Sequence, residues 1–272
     1  MKISYTTLSV PEKTLEQAVA LASGWRLDGI ELRGKESVHI SSENSFEYVE
    51  KARRLIRQAG LSIPCLTAYT KFYQPDKSSA IAQAEELMKM VHLAEYLGAA
   101  TVRTFMGDIP AGMDRERADE IGRAGLNHVA SLMGESPVRV VVETGGSVRD
   151  GASLARLLDG VPRQIGVLLD ILHPWEMGES IEETWRLIGE RIYHVHLKDI
   201  TGTVPGGQVS CALGSGLLDV ERKAAYLLKQ GYDGFFSLEW ERSAEGDQGV
   251  TLEMQMESLL ELEEQLEIGG IR

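Results

Sequence analysis

The residues in this chain best suited to chemistry are acids and histidines that terminate apolar runs. VRVVVE ends in Glu143, IGVLLD ends in Asp170, IYHVHLKD carries His194 and His196, and FFSLEWE reaches Glu239 and Glu241. Carboxylates and imidazoles are ordinary ligands of Mn²⁺, Mg²⁺, Co²⁺ or Zn²⁺. A single acid in such a place is more often a loop start or a helix cap. Four strand ends in succession, at matching depth, are another matter. Neighbouring strands lie about 4.8 Å apart, so their ends can converge on one ion. Three carboxylates gathered without a cation would repel one another and lose solvation. The spacing predicts one divalent cation held by three acids and one imidazole.

The elements that must position these groups alternate along the whole chain. Strand patterns fall at Lys2 to Ser9, Gly29 to Arg33, Leu61 to Ala68 and Thr101 to Phe105. They continue at Val138 to Glu143, Ile165 to Asp170, Ile192 to Leu197 and Phe235 to Glu239. Helix patterns follow each strand: Thr14 to Ser23, Phe46 to Gln58, Ser79 to Tyr96, Arg115 to Met133, Gly151 to Leu158, Ile181 to Ile188, Val220 to Lys229 and Leu252 to Leu266. Alternation of this kind implies a parallel sheet. Eight units in 272 residues predict closure into an α/β, (β/α)8 barrel, a TIM barrel in a single domain over residues 1–272. Active sites of such barrels lie at the C-terminal strand ends, where the acids and histidines stand.

Composition narrows the function. Hydrophobic residues make up 43% and charged residues 25%, which fits a large core and excludes disorder. A net charge of −13 repels phosphate backbones and argues against nucleic acid as a partner. Cys65 and Cys211 lack CxxC spacing and read as free thiols in a reducing compartment. The opening MKISYTTLSV is too polar for a signal peptide, and no apolar run is long enough for a membrane span, so the expectation is a cytoplasmic protein without a membrane partner. No GxGxxG or GxxxxGK[ST] follows a strand, which weakens a nucleotide-binding reading.

The ordered set DGIELR, VRTFMG, VVETGG, LLDILH, HVHLKD, LGSGLLD and GYDGFFSLEWE resembles the xylose-isomerase-like barrel superfamily over nearly the whole chain. That group holds sugar isomerases, ketose 3-epimerases, inosose dehydratases and endonuclease IV. The resemblance implies that Glu143, Asp170, His196 and Glu239 hold the metal. It also implies that Glu143 and Glu239 move a proton on opposite faces of a carbon beside a carbonyl, through a metal-stabilised enediolate. His173, in DILHPW, resembles the DxxH histidine that touches substrate oxygens. Arg103 and Lys198 are candidates for binding substrate oxygens, with anchoring of the barrel mouth as the alternative. Glu31 is a candidate for orienting a water or a substrate hydroxyl, with an ion pair to Arg33 or Arg103 as the alternative. Trp175, Tyr69, Phe72 and Trp240 lie near the mouth by position and suit the apolar face of a sugar, with helix packing as the equal alternative. His194 shares a side of its strand with His196 and reads as a core or supporting histidine. His39, His92 and His128 read as surface or helix residues, and Glu241 as a spare ligand or a cap.

Departures from the superfamily pattern sharpen the expectation. The segments GIELR, PCLTAY and VRTF lack the histidines of the trinuclear nucleases, which favours a single metal. ETGGSVRD and HLKDITGTVPGG lack the Asn-Arg segment and the arginine of the ketose 3-epimerases, and Lys198 is the nearest cation to take that arginine's place. The leading expectation is a metal-dependent isomerase or epimerase of a small sugar, ketose or polyol-derived substrate. An inosose-type dehydratase on the same site is the alternative. An abasic-site endonuclease and a non-catalytic sugar-binding barrel fit less well. The apolar stripe Leu252, Met256, Leu259 and Leu260 either covers the barrel or contributes to a homodimer.

Overall fold

The computed structural model describes residues 1–35, 39–204, 207–241 and 249–270. Strands β1 (Lys2–Thr6), β2 (Gly29–Arg33), β3 (Cys65–Lys71), β4 (Thr101–Phe105), β5 (Arg139–Glu143), β6 (Ile165–Asp170) and β7 (Ile192–Leu197) are followed by a short hairpin, β8 (Ile200–Val204) and β9 (Gly207–Ser210), and then by β10 (Phe235–Leu238). Apart from the antiparallel hairpin, all pair in parallel and close in the order β1-β10-β7-β6-β5-β4-β3-β2. Helices α1 (Leu15–Gly24), α2 (Phe46–Gln58), α3 (Lys77–Leu97), α4 (Arg115–Met133), α5 (Gly151–Leu157), α6 (Leu172–Glu176), α7 (Ile181–Ile188), α8 (Val220–Lys229) and α9 (Leu252–Ile268) complete the chain. The fold is the (β/α)8 barrel that the alternation predicts.

Local chemistry sets the element boundaries. Thr14, Ser45, Asp76, Asp114, Asp150, Ser180 and Thr251 each accept a hydrogen bond from a backbone N–H three residues on, capping seven of the helices. Thr14 and Gln17 form a reciprocal capping box. The strands are Val/Ile/Leu-rich and buried on both faces, as a helix-covered parallel sheet requires. The last helix lays Leu252, Met256 and Leu259 into the core and Leu260 against it, so that stripe covers the barrel.

Two strand boundaries differ most from the sequence expectation, and two further elements are added. The third strand begins at Cys65, not Leu61: Pro64 has no N–H to give a ladder, and Leu61 and Ile63 are buried on the approach to the strand. The first strand stops at Thr6, because Thr7–Ser9 winds into a 3-10 turn capped by the Thr6 hydroxyl. Helix α6 and the β8–β9 hairpin have no counterpart in the pattern above.

Inside the barrel, the side chains of Cys65, Val141 and Leu168 meet in a fully buried apolar layer. A strand repeats its facing every two residues. Glu143 follows Val141 by two, Asp170 follows Leu168 by two, and His196 follows His194 by two, so each of the three points inward one layer nearer the C-terminal mouth. The β6–β7 register slips by one residue between Val167 and Leu168. That slip sets Asp170 directly opposite His196, and Ser237 of β10 pairs with His196 from the other side.

Candidate active site

Glu143, His196 and Glu239 each offer a ligand atom within 4.8 Å of the others, and all three are buried. His196 Nδ1 is 3.3 Å from Glu143 Oε1 and 3.2 Å from Glu239 Oε2. It makes no hydrogen bond to either. The opposite nitrogen is committed: His196 Nε2 lies 3.0 and 3.1 Å from the two oxygens of Glu31. A neutral imidazole carries its proton on the nitrogen that donates. With a cation bound, donation from Nε2 to Glu31 would leave the Nδ1 lone pair free to ligate it between the two carboxylates.

Asp170 joins this group through Lys198. The Lys198 ammonium is 2.8 Å from Asp170 Oδ2 and 2.6 Å from Glu239 Oε2. The Asp170 Oδ1 atom accepts from the Leu172 N–H at 3.0 Å, and the Asp170 N–H donates to the Thr144 hydroxyl at 2.9 Å. These bonds fix the carboxyl and leave Oδ2 buried without a hydrogen-bond partner, because Lys198 approaches it at ion-pair distance but without hydrogen-bond geometry. His173 Nδ1 stands 3.5 Å from the same oxygen. Arg103 donates to Glu143 Oε2 at 2.6 Å and packs its guanidinium 4.0 Å from the centre of the Phe105 ring.

A cavity of about 490 Å³ opens over these groups. Glu143, Asp170, His173, Lys198, Glu239 and Arg103 line it. The buried charges here shift one another. Burial alone would raise the Glu239 carboxyl, but His196 and Lys198 outweigh it and hold it well below the usual range. Burial likewise opposes Asp170, and Lys198 and His173 pull it down. Burial would lower Lys198, yet Asp170 and Glu239 hold its ammonium well above the ordinary lysine value. Burial would lower His196 too, and Glu239 and Glu31 push it well above the ordinary histidine value. Glu241 is raised, chiefly by the charge on Glu239.

The donor set fits a divalent cation. Glu143, Asp170 and Glu239 line one cavity, and His196 Nδ1, without a hydrogen bond, lies beside two of them. Such atoms are costly to bury unless something pairs with them. Glu31 stands behind His196, where a carboxylate would orient a histidine that ligates a metal.

Other expected site residues fall elsewhere. Glu31 does not face the cavity: it is fully buried and also receives His194 Nε2 at 2.8 Å, so it holds two histidines and pairs with neither Arg33 nor Arg103. Trp175 packs against the core, whereas Trp240 lines the cavity. Phe72 is fully buried and packs against Gly125. Tyr69 sits beside the cavity, with its ring 5.1 Å from the Arg103 guanidinium carbon. His39 is not a surface residue: it is buried, with Nε2 3.0 Å from the Lys13 carbonyl.

Among the polar cavity residues that the sequence reading missed are Gln208, Ser210 and Gln255. The first two ride on the β8–β9 hairpin, tied down where Gln208 Nε2 donates to Glu176 Oε1 at 3.2 Å. Their signal was available: ITGTV and QVS are β-prone runs flanking PGG, a hairpin pattern. Gln255 comes from α9, donates to the Cys211 carbonyl at 2.9 Å and leaves Oε1 buried without a partner. No local signal marks a glutamine on a covering helix as part of a site. The LGSGLLD segment is organised by Asp199, whose oxygens accept from the N–H groups of Ile200, Gly214, Gly216 and Leu218 at 2.9–3.1 Å. A Cβ at Gly216 would stand 2.3 Å from Asp199 Oδ1, so only glycine passes there. At Gly146 the backbone has φ +52°, and a Cβ would stand 2.7 Å from the Gly107 carbonyl. That close approach ties the loops after β4 and β5 over the site.

A family model described as xylose isomerase-like TIM barrel matches residues 18–262. The chain belongs to this family. Among curated proteins it is 24% identical over 209 residues to a 3-dehydroshikimate dehydratase of Bacillus anthracis, covering 74% of this chain and 72% of that protein. Among solved structures it resembles a probable 3-DHS dehydratase from Bacillus anthracis, with TM-score 0.77 and 21% identity over 96% of this chain and 99% of that one. A D-tagatose 3-epimerase-like protein superposes with TM-score 0.80 at 18% identity, each chain 98% covered. An IOLI protein with a bound zinc atom gives TM-score 0.80 at 16% identity, over 97% of this chain and 99% of that one. At these identities the structural likeness establishes the fold. Among the described residues, no helix is long and apolar enough to cross a membrane.

Proposed function

We propose that this protein is a divalent-metal-dependent enzyme that transfers a proton at a carbon beside a carbonyl in a small polyhydroxylated substrate, giving isomerisation or epimerisation. The observation that carries this reading is the buried His196 Nδ1, without a hydrogen bond and flanked by Glu143 and Glu239. Glu143, Asp170, His196 and Glu239 would hold the cation. When bound, it supplies the positive charge that polarises the substrate's carbonyl oxygen.

The chain's own residues do the rest. Glu143 and Glu239 come from β5 and the end of β10 and reach the same cavity, so one carboxylate removes the proton and the other returns it. Arg103 holds Glu143 through a charge-assisted hydrogen bond, and Lys198 stands at Glu239. His173, Lys198, Gln208 and Gln255 present polar atoms to substrate hydroxyls. The aromatic face of Trp240 closes one wall and helps exclude water.

A second reading is dehydration: the same proton is removed, and a hydroxyl on the next carbon leaves as water. Lys198 favours it, because an ammonium held at the cavity can protonate a departing hydroxyl. The curated relative is a dehydratase, which points the same way. The chain, loaded with Mn²⁺ and incubated in D₂O with a panel of ketoses and cyclic hydroxyketones, separates the two. Deuterium incorporation without loss of mass as water supports isomerisation or epimerisation. A product lighter by one water supports dehydration. Absence of both across the panel, identical with and without metal, contradicts the enzymatic reading.

A further inference from the structure

The first half of the barrel mouth carries two cations that the chemistry above does not use, Arg33 and Lys35, gathered with Arg103 around the Tyr69 ring. Arg33 Nε donates to the Tyr69 hydroxyl at 2.7 Å, and the Arg33 guanidinium carbon lies 5.6 Å from the Tyr69 ring centre. Arg103 and Lys35 approach the same ring, at 5.1 and 5.9 Å. Among the described residues, no carboxylate is within ion-pair distance of Arg33 or Lys35. Arg103 is buried, spends one nitrogen on Glu143, and leaves Nε without a partner. Tyr69 itself is 41% exposed, so the cations surround a surface that solvent reaches.

Three cations around one aromatic ring repel one another; Glu143 offsets Arg103, whereas among the described residues neither Arg33 nor Lys35 has a carboxylate partner, which in a chain of net charge −13 is informative. Packing explains Arg103 alone, through its stacking on Phe105. It does not explain Arg33 and Lys35, which reach only the exposed ring. The adjoining groove also carries Glu43 and Glu86, but Glu86 pairs with Lys89 at 2.7 Å.

We propose that Arg33, Tyr69 and Arg103, with Lys35 at the rim, form a subsite for an anionic group on the substrate, a carboxylate or a phosphate ester. The inference rests on the metal-centred reading and names the substrate class for it. Arg103 touches both Glu143 and the Tyr69 ring, so an anion seated here lies one guanidinium away from the acids that move the proton. A planar guanidinium fork suits either anion. A neutral ketose would leave Arg33 and Lys35 without an anion, and the site discriminates against it.

The test is isothermal titration of the full chain, loaded with Mn²⁺, with two matched pairs: quinate against methyl quinate, and D-fructose 6-phosphate against D-fructose. In one pair the anion is expected to bind on the order of tenfold more tightly than its neutral mate, the worth of a charge-assisted hydrogen bond. That preference falls to within about twofold in Arg33→Gln, while the neutral mate binds as before. Preference in the first pair assigns a carboxylate, and preference in the second a phosphate. Lys35→Gln, at an exposed position, repeats the test where folding is not in question and lowers the preference in the same direction. The proposal is overturned if neither pair shows a charge preference, if neither anion binds, or if the preference survives both substitutions together, which would mean that the anion is held by the metal alone. Mn²⁺ uptake in the absence of any organic ligand is measured first. Failure there refutes the metal reading, whereas stoichiometric uptake with no charge preference refutes only the subsite.

Discussion

Two buried groups in this barrel have nearly the same composition and opposite character. Glu31, Cys65 and His194 lie within 4.8 Å of one another, as do Glu143, His196 and Glu239. In the deep group Glu31 accepts from His194 and His196, and Cys65 belongs to the apolar layer with Val141 and Leu168. Burial and the nearby Glu31 charge push the Cys65 thiol well above its usual value, which disfavours the thiolate that a metal needs. In the upper group an imidazole nitrogen has no hydrogen bond, and the acids open onto a cavity. Residue type does not distinguish a ligand set from a structural network. Satisfaction of the polar atoms and access to a cavity do.

The sharpest way to break the comparison is through the acids of the upper group. Glu143→Gln or Glu239→Gln keeps the shape and removes the base, and turnover should fall by on the order of 10² to 10⁴. Deuterium incorporation into any accepted substrate measures this, and activity surviving both changes would remove these acids from the mechanism. Glu31 links the two groups. Glu31→Gln should weaken divalent-metal affinity by roughly 10- to 100-fold, as loss of a carboxylate behind a ligating histidine does. An unchanged dissociation constant in a competition titration would detach the deep group from the upper one. Acidity acts in the same direction. His196 is held well above the ordinary histidine value, so protons compete with the cation for Nδ1, and metal affinity should weaken as pH falls through and below neutrality. Affinity independent of pH would place the metal elsewhere. The smallest effect is expected at Cys65→Ala, about 1–2 kcal/mol of stability from the cavity it leaves, read by urea unfolding. Loss of metal from that variant would erase the contrast between the groups.

The barrel was legible because strands buried on both faces read as continuous apolar runs and helices carry their caps in the sequence. The acids were legible because they end those runs abruptly. The role of Glu31 was not, since its partners lie 163 and 165 residues away across the barrel interior, and nothing local to GIELR encodes them. Arg33, its neighbour on the same strand, offered a nearer and mistaken partner. Gln255 was hidden for a similar reason: α9 looks like a covering helix and is one, except for a single amide reaching past Cys211 into the cavity. Trp175 and Trp240 show the limit of position alone. Both follow a site acid closely, but Trp175 on α6 packs half-buried against the core away from the cavity, while Trp240, just past β10, is buried in the core and lines the cavity.

Metal analysis of the purified chain tests the central claim most directly, by mass spectrometry of wild type, His196→Ala and Cys65→Ala after chelation and reloading with Mn²⁺. Wild type and Cys65→Ala should each retain one equivalent per chain, and His196→Ala should retain far less than one. Stoichiometric metal in folded His196→Ala, or its loss from Cys65→Ala, would show that the cation is not held between Glu143 and Glu239.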